Sequence, residues 1–393
     1  MIDLLKNKNY KYILFFNLYA SEGLIFALST VVTVLYFNKL EIPISTTTVI
    51  AGVANLPWIF KLIPGPIIDR FRKYGRKPFI IFGGLTGAFC IFSLSLLDPS
   101  KSILAFTLIF FIGHLGIVFL DVSADAWAVE ITNYNERGKV NASMTAGLFS
   151  CWALGSIFLT YIGQTFDYKI NFIIVGFFIL LTIILPLFVK ETKIIKKKLK
   201  IASLLFKEFK EKNTILITVL EFLAPMNFGI LLLIIPNYID EYLFLDDFQT
   251  GIMSAIYPIS IVIGSIIGGI ISDRYGRKPT IYFCFTGSLI FSGLLVFADS
   301  WEFLAIIYAL IGLLQGGALY AALAALAMDI VNPKIAATQL SILMSVHNFG
   351  DIGVSILSGF LVIMMGYDKF FLLAAWIVGP ALLILYFVKE KKS

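Results

Sequence analysis

Long apolar stretches follow one another along almost the whole chain, and each is long enough to cross a lipid bilayer. A membrane-spanning helix needs roughly 20 apolar residues to cross a hydrocarbon layer of about 30 Å. Lipid offers no partner to an unpaired backbone N–H or C=O group, so every span must be helical. The sequence therefore predicts an all-α integral membrane protein with twelve transmembrane helices, at residues 12–37, 46–68, 79–97, 102–129, 140–163, 170–189, 213–236, 249–271, 280–298, 303–329, 337–365 and 370–388.

Composition supports this prediction and argues against a soluble enzyme. Of the 393 residues, 59% are hydrophobic and 14% are charged. Soluble domains carry about 25% charged residues, so these are too few to cover a surface of this size in water. The three cysteines, Cys90, Cys151 and Cys284, lie in apolar segments without pairing or metal-ligand spacing. With no nucleophile elbow or phosphate-binding loop either, the sequence predicts no enzymatic activity, no metal and no other cofactor.

Basic residues are concentrated on one side of the predicted membrane. Both terminal segments and the even-numbered loops hold 26 of the 31 Lys and Arg residues. Because cytoplasmic loops are enriched in basic residues, both termini are predicted to be cytoplasmic. The net charge of +6 is thus explained by topology and does not indicate a nucleic-acid partner. Short external loops favour a multi-pass protein of the plasma membrane.

A loop motif occurs twice, about 200 residues apart. The first copy is Gly65-Pro-Ile-Ile-Asp69-Arg70 followed by Gly75-Arg76-Lys77-Pro78, and the second is Gly269-Ile-Ile-Ser-Asp273-Arg274 followed by Gly276-Arg277-Lys278-Pro279. A shorter echo relates Glu130 to Asp329. Such repeats build transporters that rock around a central site. The repeat predicts two pseudo-symmetric six-helix bundles, 1–190 and 213–393, joined by a Lys-rich amphipathic cytoplasmic linker at 191–212.

The duplicated motif resembles the signature loop of the major facilitator superfamily, and the resemblance covers the whole chain. Three motifs of the first half are similar to the muropeptide permease, acetyl-coenzyme A transporter and folate–biopterin carrier branches: Glu22-Gly23-Leu24, Pro57-Trp58 with Lys61 and Asp69, and Asp121 with Asp125-Ala126. The resemblance implies a monomeric secondary transporter that works by alternating access. It also implies proton-coupled uptake of a polar or anionic organic solute.

The resemblance further implies a gate at the cytoplasmic ends of the helices. An arginine side chain can bind a carboxylate through two parallel hydrogen bonds, which suits the acidic residues nearby. In the superfamily, such loops hold the cytoplasmic gate in the outward-facing state. The predicted gate residues are Asp69, Arg70, Arg76, Glu130, Asp273, Arg274, Arg277 and Asp329.

Ionisable residues inside the spans form a second set of candidates, because buried charge in a membrane is costly and commonly functional. Glu22 is the leading candidate for a proton carrier, and Glu221 corresponds to it in the second half. Lys61 either pairs with an aspartate or contacts an anionic solute. An inter-helix structural role is the alternative for each candidate. The predicted proton or substrate residues are Glu22, Lys61, His114, Asp121, Asp125, Glu221, His347 and Asp351.

Two other functions are compatible with the same scaffold. One is proton-linked efflux of small organic compounds. The other is a non-transporting membrane assembly or sensor factor, which would lack an aqueous cavity and would be indifferent to Glu22→Gln. The sequence alone leaves both open.

Overall fold

The computed structural model describes residues 7–132, 137–191, 201–332 and 335–389, and the regular elements of these ranges are helical. The α-helices are α1 (Lys8–Ala27), α2 (Thr33–Lys39), α3 (Ile44–Ile59), α4 (Pro64–Arg70), α5 (Lys77–Leu94), α6 (Ile103–Ile131), α7 (Arg137–Thr165), α8 (Tyr168–Thr182), α9 (Ile184–Leu187), α10 (Ile201–Glu208), α11 (Lys212–Leu223), α12 (Met226–Leu232), α13 (Ile234–Glu241), α14 (Asp247–Tyr275), α15 (Arg277–Leu294), α16 (Trp301–Ile311), α17 (Tyr320–Ile330), α18 (Ala336–Trp376) and α19 (Gly379–Phe387). Two π-helical segments, Leu28–Val32 and Gly312–Leu319, join α1 to α2 and α16 to α17.

Ten helical stretches of the described residues are long and apolar enough to cross a membrane. The predicted second span falls outside this count because residues 60–63 separate α3 from α4. The predicted eleventh and twelfth spans form one stretch of 50 residues. An unbroken helix of that length would measure about 75 Å, more than twice the hydrocarbon thickness. The stretch is non-helical at Gly366, where φ is +75°. The all-α membrane fold predicted from the sequence is confirmed.

The chain divides into two compact units. Unit 1 comprises Met1–Pro43, Val53–Lys196 and Asp246–Ala255, and unit 2 comprises Ile44–Gly52, Lys197–Leu245 and Ile256–Ser393. The bundle boundaries at 190 and 213 stay a prediction. Of the predicted linker, α10 is described, whereas its lysine-rich part, residues 192–200, lies outside the described residues.

In unit 1, α1 packs along α7, and small residues allow the two helices to approach closely. A Cβ atom on Gly23 would strike the Leu148 carbonyl oxygen, and one on Gly147 would strike that of Phe16. Glycines at helix–helix contacts are common in membrane proteins, where tight packing holds helices together. The close approach at Gly23 fixes the adjacent Glu22 in the interior, where 6% of its surface is exposed.

In unit 2, the predicted seventh span is divided into α11, α12 and α13. Pro225 lies at the first division and has no N–H group to continue the helix. A buried apolar cluster that includes Leu220, Phe285 and Leu323 packs around α11. The division therefore lies in a packed region, where backbone groups released from the helix need new partners.

Candidate functional site

Unit 1 buries an ion pair between two predicted site residues. Lys61 lies between α3 and α4, and its Nζ is 2.7 Å from Oδ2 of Asp121 on α6. The Asp121 side chain is 2% exposed, whereas that of Lys61 is 27% exposed. Pairing is the least costly way to hold opposite charges in a membrane interior. The predicted Asp–Lys pair is thus present, with its acid buried and its base partly accessible.

Two further carboxyl groups lie beside this pair. The buried carboxyl of Glu22 lies beside Asp121, close enough for the two charges to interact. Among the described residues, the buried Oε2 of Glu22 receives no hydrogen bond. Asp125 follows Asp121 by one helical turn, accepts a hydrogen bond from the Tyr19 hydroxyl and is exposed. Three acids and one lysine therefore form a cluster, which we call the charged cluster (Glu22, Lys61, Asp121 and Asp125).

His114 has a different environment from the charged cluster. It is fully buried, its ring meets Phe110 edge-on at 4.8 Å, and its Nδ1 lies 3.2 Å from Nε1 of Trp58. An indole N–H can only donate, so Nδ1 of His114 is the acceptor. The Lys61 ammonium lies over the face of Trp58, 4.6 Å from the ring centroid. The histidine therefore orients the indole that lies under Lys61.

Unit 2 contains a second group of predicted residues around the break in the seventh span. Nδ1 of His347 on α18 lies 3.0 Å from Oε2 of Glu221 on α11. His347 and Asp351 lie one helical turn apart on α18, and the hydrogen-bond partner of His347 is Glu221, because α11 packs against α18. Oδ1 of Asp351 has no hydrogen-bond partner among the described residues, and the backbone of Gly229 approaches it closely.

Neutral amide side chains bind backbone carbonyls near the C-terminal ends of α11 and α18. The Gln315 amide donates to the Ala224 carbonyl and accepts from the Ser288 hydroxyl at 2.8 Å. Nδ2 of Asn227 donates to the Ala374 carbonyl at 2.7 Å. Gln315 lies in the π-helical segment Gly312–Leu319, and such segments are frequent at functional sites. These bonds satisfy carbonyls that regular helices would have paired internally.

The first signature loop forms a buried network in unit 1. Nη2 of Arg76 lies 2.8 Å from Oε1 of Glu130, with 5% and 8% of the side chains exposed. The Glu191 carboxylate accepts from the backbone N–H groups of Arg76 and Lys77, at the start of α5. Gly75 adopts a φ of +92°, and a Cβ there would strike Glu191. A carboxylate at a helix N-terminus also complements the helix dipole.

The second signature loop is three residues shorter than the first between its Asp-Arg and Gly-Arg-Lys parts, and its contacts are looser. Arg277 bonds Asp273, four residues earlier, and its Nε lies 3.5 Å from Oδ2 of Asp329. Here 22% of Arg277 and 40% of Asp329 are exposed. The pair of Asp273 and Arg277 forms because the two residues lie about one helical turn apart.

Three predicted gate residues remain: two are exposed, and the third has a side chain outside the described residues. Arg70 and Arg274 are exposed, and the Arg274 guanidinium lies over the Tyr275 ring. Asp69 belongs to α4, and its side chain lies outside the described part of the structure.

Sequence reasoning missed two contacts in unit 1, of Tyr19 with Asp125 and of Glu191 with the start of α5. Only packing brings Tyr19 to Asp125, so no sequence signal marked it. A signal did exist for Glu191, because Phe188-Val-Lys-Glu191 recurs as Phe387-Val-Lys-Glu390. In the second copy, Nζ of Lys278 donates to the Val388 carbonyl at 2.8 Å, as Lys77 does to Val189 at 2.5 Å. Glu390 lies outside the described residues.

An all-helical scaffold with ten candidate membrane-spanning stretches among the described residues, and with paired charges inside it, indicates a membrane transporter of the major facilitator type. Comparison with known sequences agrees: the model of the Major Facilitator Superfamily matches residues 217–393. The model of the BT1 family matches residues 22–299, which is more than half of the chain. The protein therefore belongs to the BT1 family.

Individual proteins resemble the chain over most of its length. "Putative transporter AmpG 4" of Rickettsia conorii is 27% identical and aligns over 94% of this chain and 93% of its own. The cis,cis-muconate transport protein of Acinetobacter baylyi is 22% identical over 71% of this chain and 70% of its own. Among solved structures, the nucleoside transporter NupG superposes with a TM-score of 0.77 at 16% identity, over 98% of this chain and 99% of its own. A D-xylose-proton symporter superposes with a TM-score of 0.76 at 15% identity, over 97% and 99%. These two structures share the fold.

Proposed function

We propose that this protein is a proton-coupled transporter that takes up a polar or anionic organic solute by alternating access. The observation that carries the proposal is the charged cluster, in which three acids and one lysine gather inside membrane-spanning segments. A charge in lipid is costly, so residues of this kind mark substrate, ion or proton pathways. Solute transport and proton coupling also have precedents, in a sequence relative named as a cis,cis-muconate transport protein and in a protein of the same fold named as a D-xylose-proton symporter.

Within this function, the two sets of charges have different roles. Glu22, Asp121 and Asp125 are the proton-binding candidates, and Lys61 is the candidate for solute contact. In unit 2, Glu221, His347 and Asp351 are assigned to the same pathway, at the break in the seventh span. Discontinuous helices near the middle of the membrane commonly form transporter binding sites.

The signature loops are proposed to act as the gate. Arg76 with Glu130, and Arg277 with Asp329, link neighbouring elements within their own units. Pairs of this kind have to form and break as a gate closes and opens. The remaining members of the proposed gate are the predicted Asp69, Arg70, Asp273 and Arg274.

The proposed orientation of the protein in the membrane follows from its charge distribution. We infer that both termini and the signature loops face the cytoplasm of a plasma membrane, because basic residues collect on cytoplasmic loops. We also assign a monomer of two six-helix bundles, with a transport role and no catalytic one. Cysteine labelling of Ser393→Cys from either side of intact cells would test the orientation.

The transport proposal is tested in two steps. Purified protein is first screened by thermal shift against amino sugars, peptides, nucleotides, folates and coenzyme A derivatives, since a bound ligand stabilises the folded state. Solutes that stabilise the protein are then tested for accumulation in proteoliposomes with an acidic exterior. We expect accumulation that a protonophore abolishes.

Glu22→Gln is the key variant, and Glu302→Gln is its matched control because Glu302 is exposed in the first turn of α16. The proposal predicts that the first variant loses gradient-driven accumulation and that the second retains it. Equal accumulation by Glu22→Gln and the unaltered protein would contradict proton coupling through this cluster. If none of the solutes accumulates under any condition, the transport function itself is overturned.

A further inference from the structure

We propose that Lys61 binds the anionic group of the solute, and that proton uptake by the carboxyl pair Glu22–Asp121 frees Lys61 to do so. This inference rests on the proposed transport function and deepens it: it names the chemical group that the solute carries and the event that makes the site available. It predicts that the solute is an organic acid.

The difference in exposure between the two partners is the first argument. Lys61 is 27% exposed and Asp121 is 2% exposed, although their charged atoms are 2.7 Å apart. Part of the Lys61 side chain is therefore accessible, whereas the Asp121 carboxylate is enclosed. Lys61 also lies where α3 and α4 are interrupted, and irregular backbone at membrane depth is tolerated where it is buried or lines a water-filled space.

The arrangement of the acids is the second argument. Nζ of Lys61 lies 2.7 Å from Oδ2 of Asp121, and the charge of the buried Glu22 carboxyl interacts with that of Asp121. Among the described residues, Asp125 and Tyr19, which are joined by a hydrogen bond, also interact with this pair. Two adjacent carboxyl groups share one proton more readily than both carry charge. With one shared proton, the Glu22–Asp121 pair carries one negative charge, which balances Lys61.

A second proton changes this balance. It binds a carboxylate oxygen of the pair, forms an O–H bond and leaves both carboxyl groups neutral. Lys61 then has no counter-charge within the pair, and an unpaired buried charge is strongly unfavourable. One negative charge on a solute restores neutrality. One proton and one monoanion therefore enter together, and the net charge of the site does not change.

Trp58 is assigned as a positioning residue in this exchange. Its ring lies 4.6 Å from Nζ of Lys61, and its N–H is held by His114 at 3.2 Å. An aromatic face attracts an ammonium group without neutralising it. Trp58 thus keeps Lys61 in place after Asp121 releases it and leaves its charge for the solute.

The exchange is tested first without any solute. The thermal-denaturation midpoints of the unaltered protein, Lys61→Gln, Asp121→Asn and the double variant are measured at pH 8 and pH 5. At pH 8 both single variants should melt below the double variant, because Asp121→Asn removes the carboxylate that contacts Lys61 and Lys61→Gln leaves the negative charge of the carboxyl pair without its cation. At pH 5 Asp121→Asn should melt with the unaltered protein. Lys39→Gln is the control, since Lys39 pairs with Asp247 at 2.7 Å outside the cluster.

The second test compares acids with their neutral amides in the proteoliposome assay. The pairs are glucuronate with glucuronamide and nicotinate with nicotinamide, and the solutes found by thermal shift are included as well. Acids should accumulate in preference to amides, without dependence on membrane potential. Lys61→Gln should raise KM for the acid by at least about tenfold. Lys61→Arg keeps the positive charge and should have a KM close to that of the unaltered protein. Trp58→Leu should raise KM by about tenfold with a smaller change in kcat, and Trp58→Phe should recover it.

The two proposals fail separately. A melting difference between Asp121→Asn and the unaltered protein that is the same at both pH values overturns the exchange, even if transport is proton-coupled. Preference for the amide, or a KM unaffected by Lys61→Gln, overturns the assignment of Lys61. Absence of all uptake overturns the transport function, while the solute-free melting test still decides the exchange.

Discussion

The two halves of this protein place acids and arginines at corresponding positions and give them different partners. Glu22 of the first half faces another carboxyl group, whereas Glu221 of the second half bonds a histidine. Arg76 lies in a buried ion pair, whereas Arg277 lies in a more exposed and longer one. The comparison indicates that corresponding sequence positions place a charge at corresponding points of the two halves. The surrounding helices then determine its partner and its exposure.

The same contrast extends to how each half handles the middle of the membrane. Unit 1 brings together ionisable side chains, Glu22, Lys61, Asp121 and Asp125. Unit 2 uses neutral amides, Gln315 and Asn227, to bind carbonyls around a broken helix. We infer that unit 1 provides the main sites for proton and solute charge, and that unit 2 adds both the ionisable pair Glu221–His347 and these neutral contacts.

The largest expected effect separates the two signature loops. Arg76→Met should lower the free energy of unfolding by about 3 kcal/mol, because it leaves Glu130 buried and unpaired. Arg277→Met should lower it by about 0.5 kcal/mol, since its partners are exposed and solvated. Chemical denaturation in detergent, followed by circular dichroism, measures both. Equal losses would mean that exposure does not distinguish the loops.

A smaller effect is expected at the break in unit 2. Gln315→Leu removes the donor to the Ala224 carbonyl and the acceptor of the Ser288 hydroxyl. Leaving such groups buried and unpaired should cost about 2 kcal/mol of unfolding free energy. Gln315→Glu keeps the acceptor and is the comparison variant for the lost donor. A stability unchanged by Gln315→Leu would show that water replaces the amide.

The smallest effects test the corresponding acids. Glu221→Gln exchanges a carboxylate for an amide at the His347 bond and should cost about 1 kcal/mol. Glu22→Gln should change stability by less than about 0.5 kcal/mol, because Oε2 of Glu22 receives no hydrogen bond among the described residues and an amide can donate to Asp121. The same denaturation assay compares them. A larger loss of unfolding free energy for Glu22→Gln than for Glu221→Gln would mean that Glu22, and not Glu221, makes the stronger contacts.

The sequence was sufficient for the all-helical membrane fold, although not for an exact count of spans, and for the ion pair of the first signature loop. Apolar length locates the helices, and the duplicated loop anticipated the contact of Arg76 with Glu130. Asp121 and Lys61 were also anticipated, since opposite charges inside adjacent spans have few other partners. These predictions succeed because an unpaired charge in lipid is so unfavourable that oppositely charged residues pair whatever the local packing of the helices.

Contacts that depend on how two helices face each other could not be predicted. The spacing of His347 and Asp351 indicates one face of α18 but not which residue of α11 meets that face. Tyr19 and Asp125 are likewise brought together by packing alone. The break at residues 60–63, which exposes Lys61, depends on backbone geometry that Pro57 and Pro64 permit but do not dictate.

The central claim is that the charged cluster couples proton movement to solute movement, and one measurement tests it most directly. Proteoliposomes with the unaltered protein or Glu22→Gln are assayed for exchange of labelled solute at equal pH and for accumulation driven by a pH gradient. The account predicts that Glu22→Gln retains exchange and loses accumulation. If Glu22→Gln accumulates solute as the unaltered protein does, protons are coupled elsewhere and the account is contradicted.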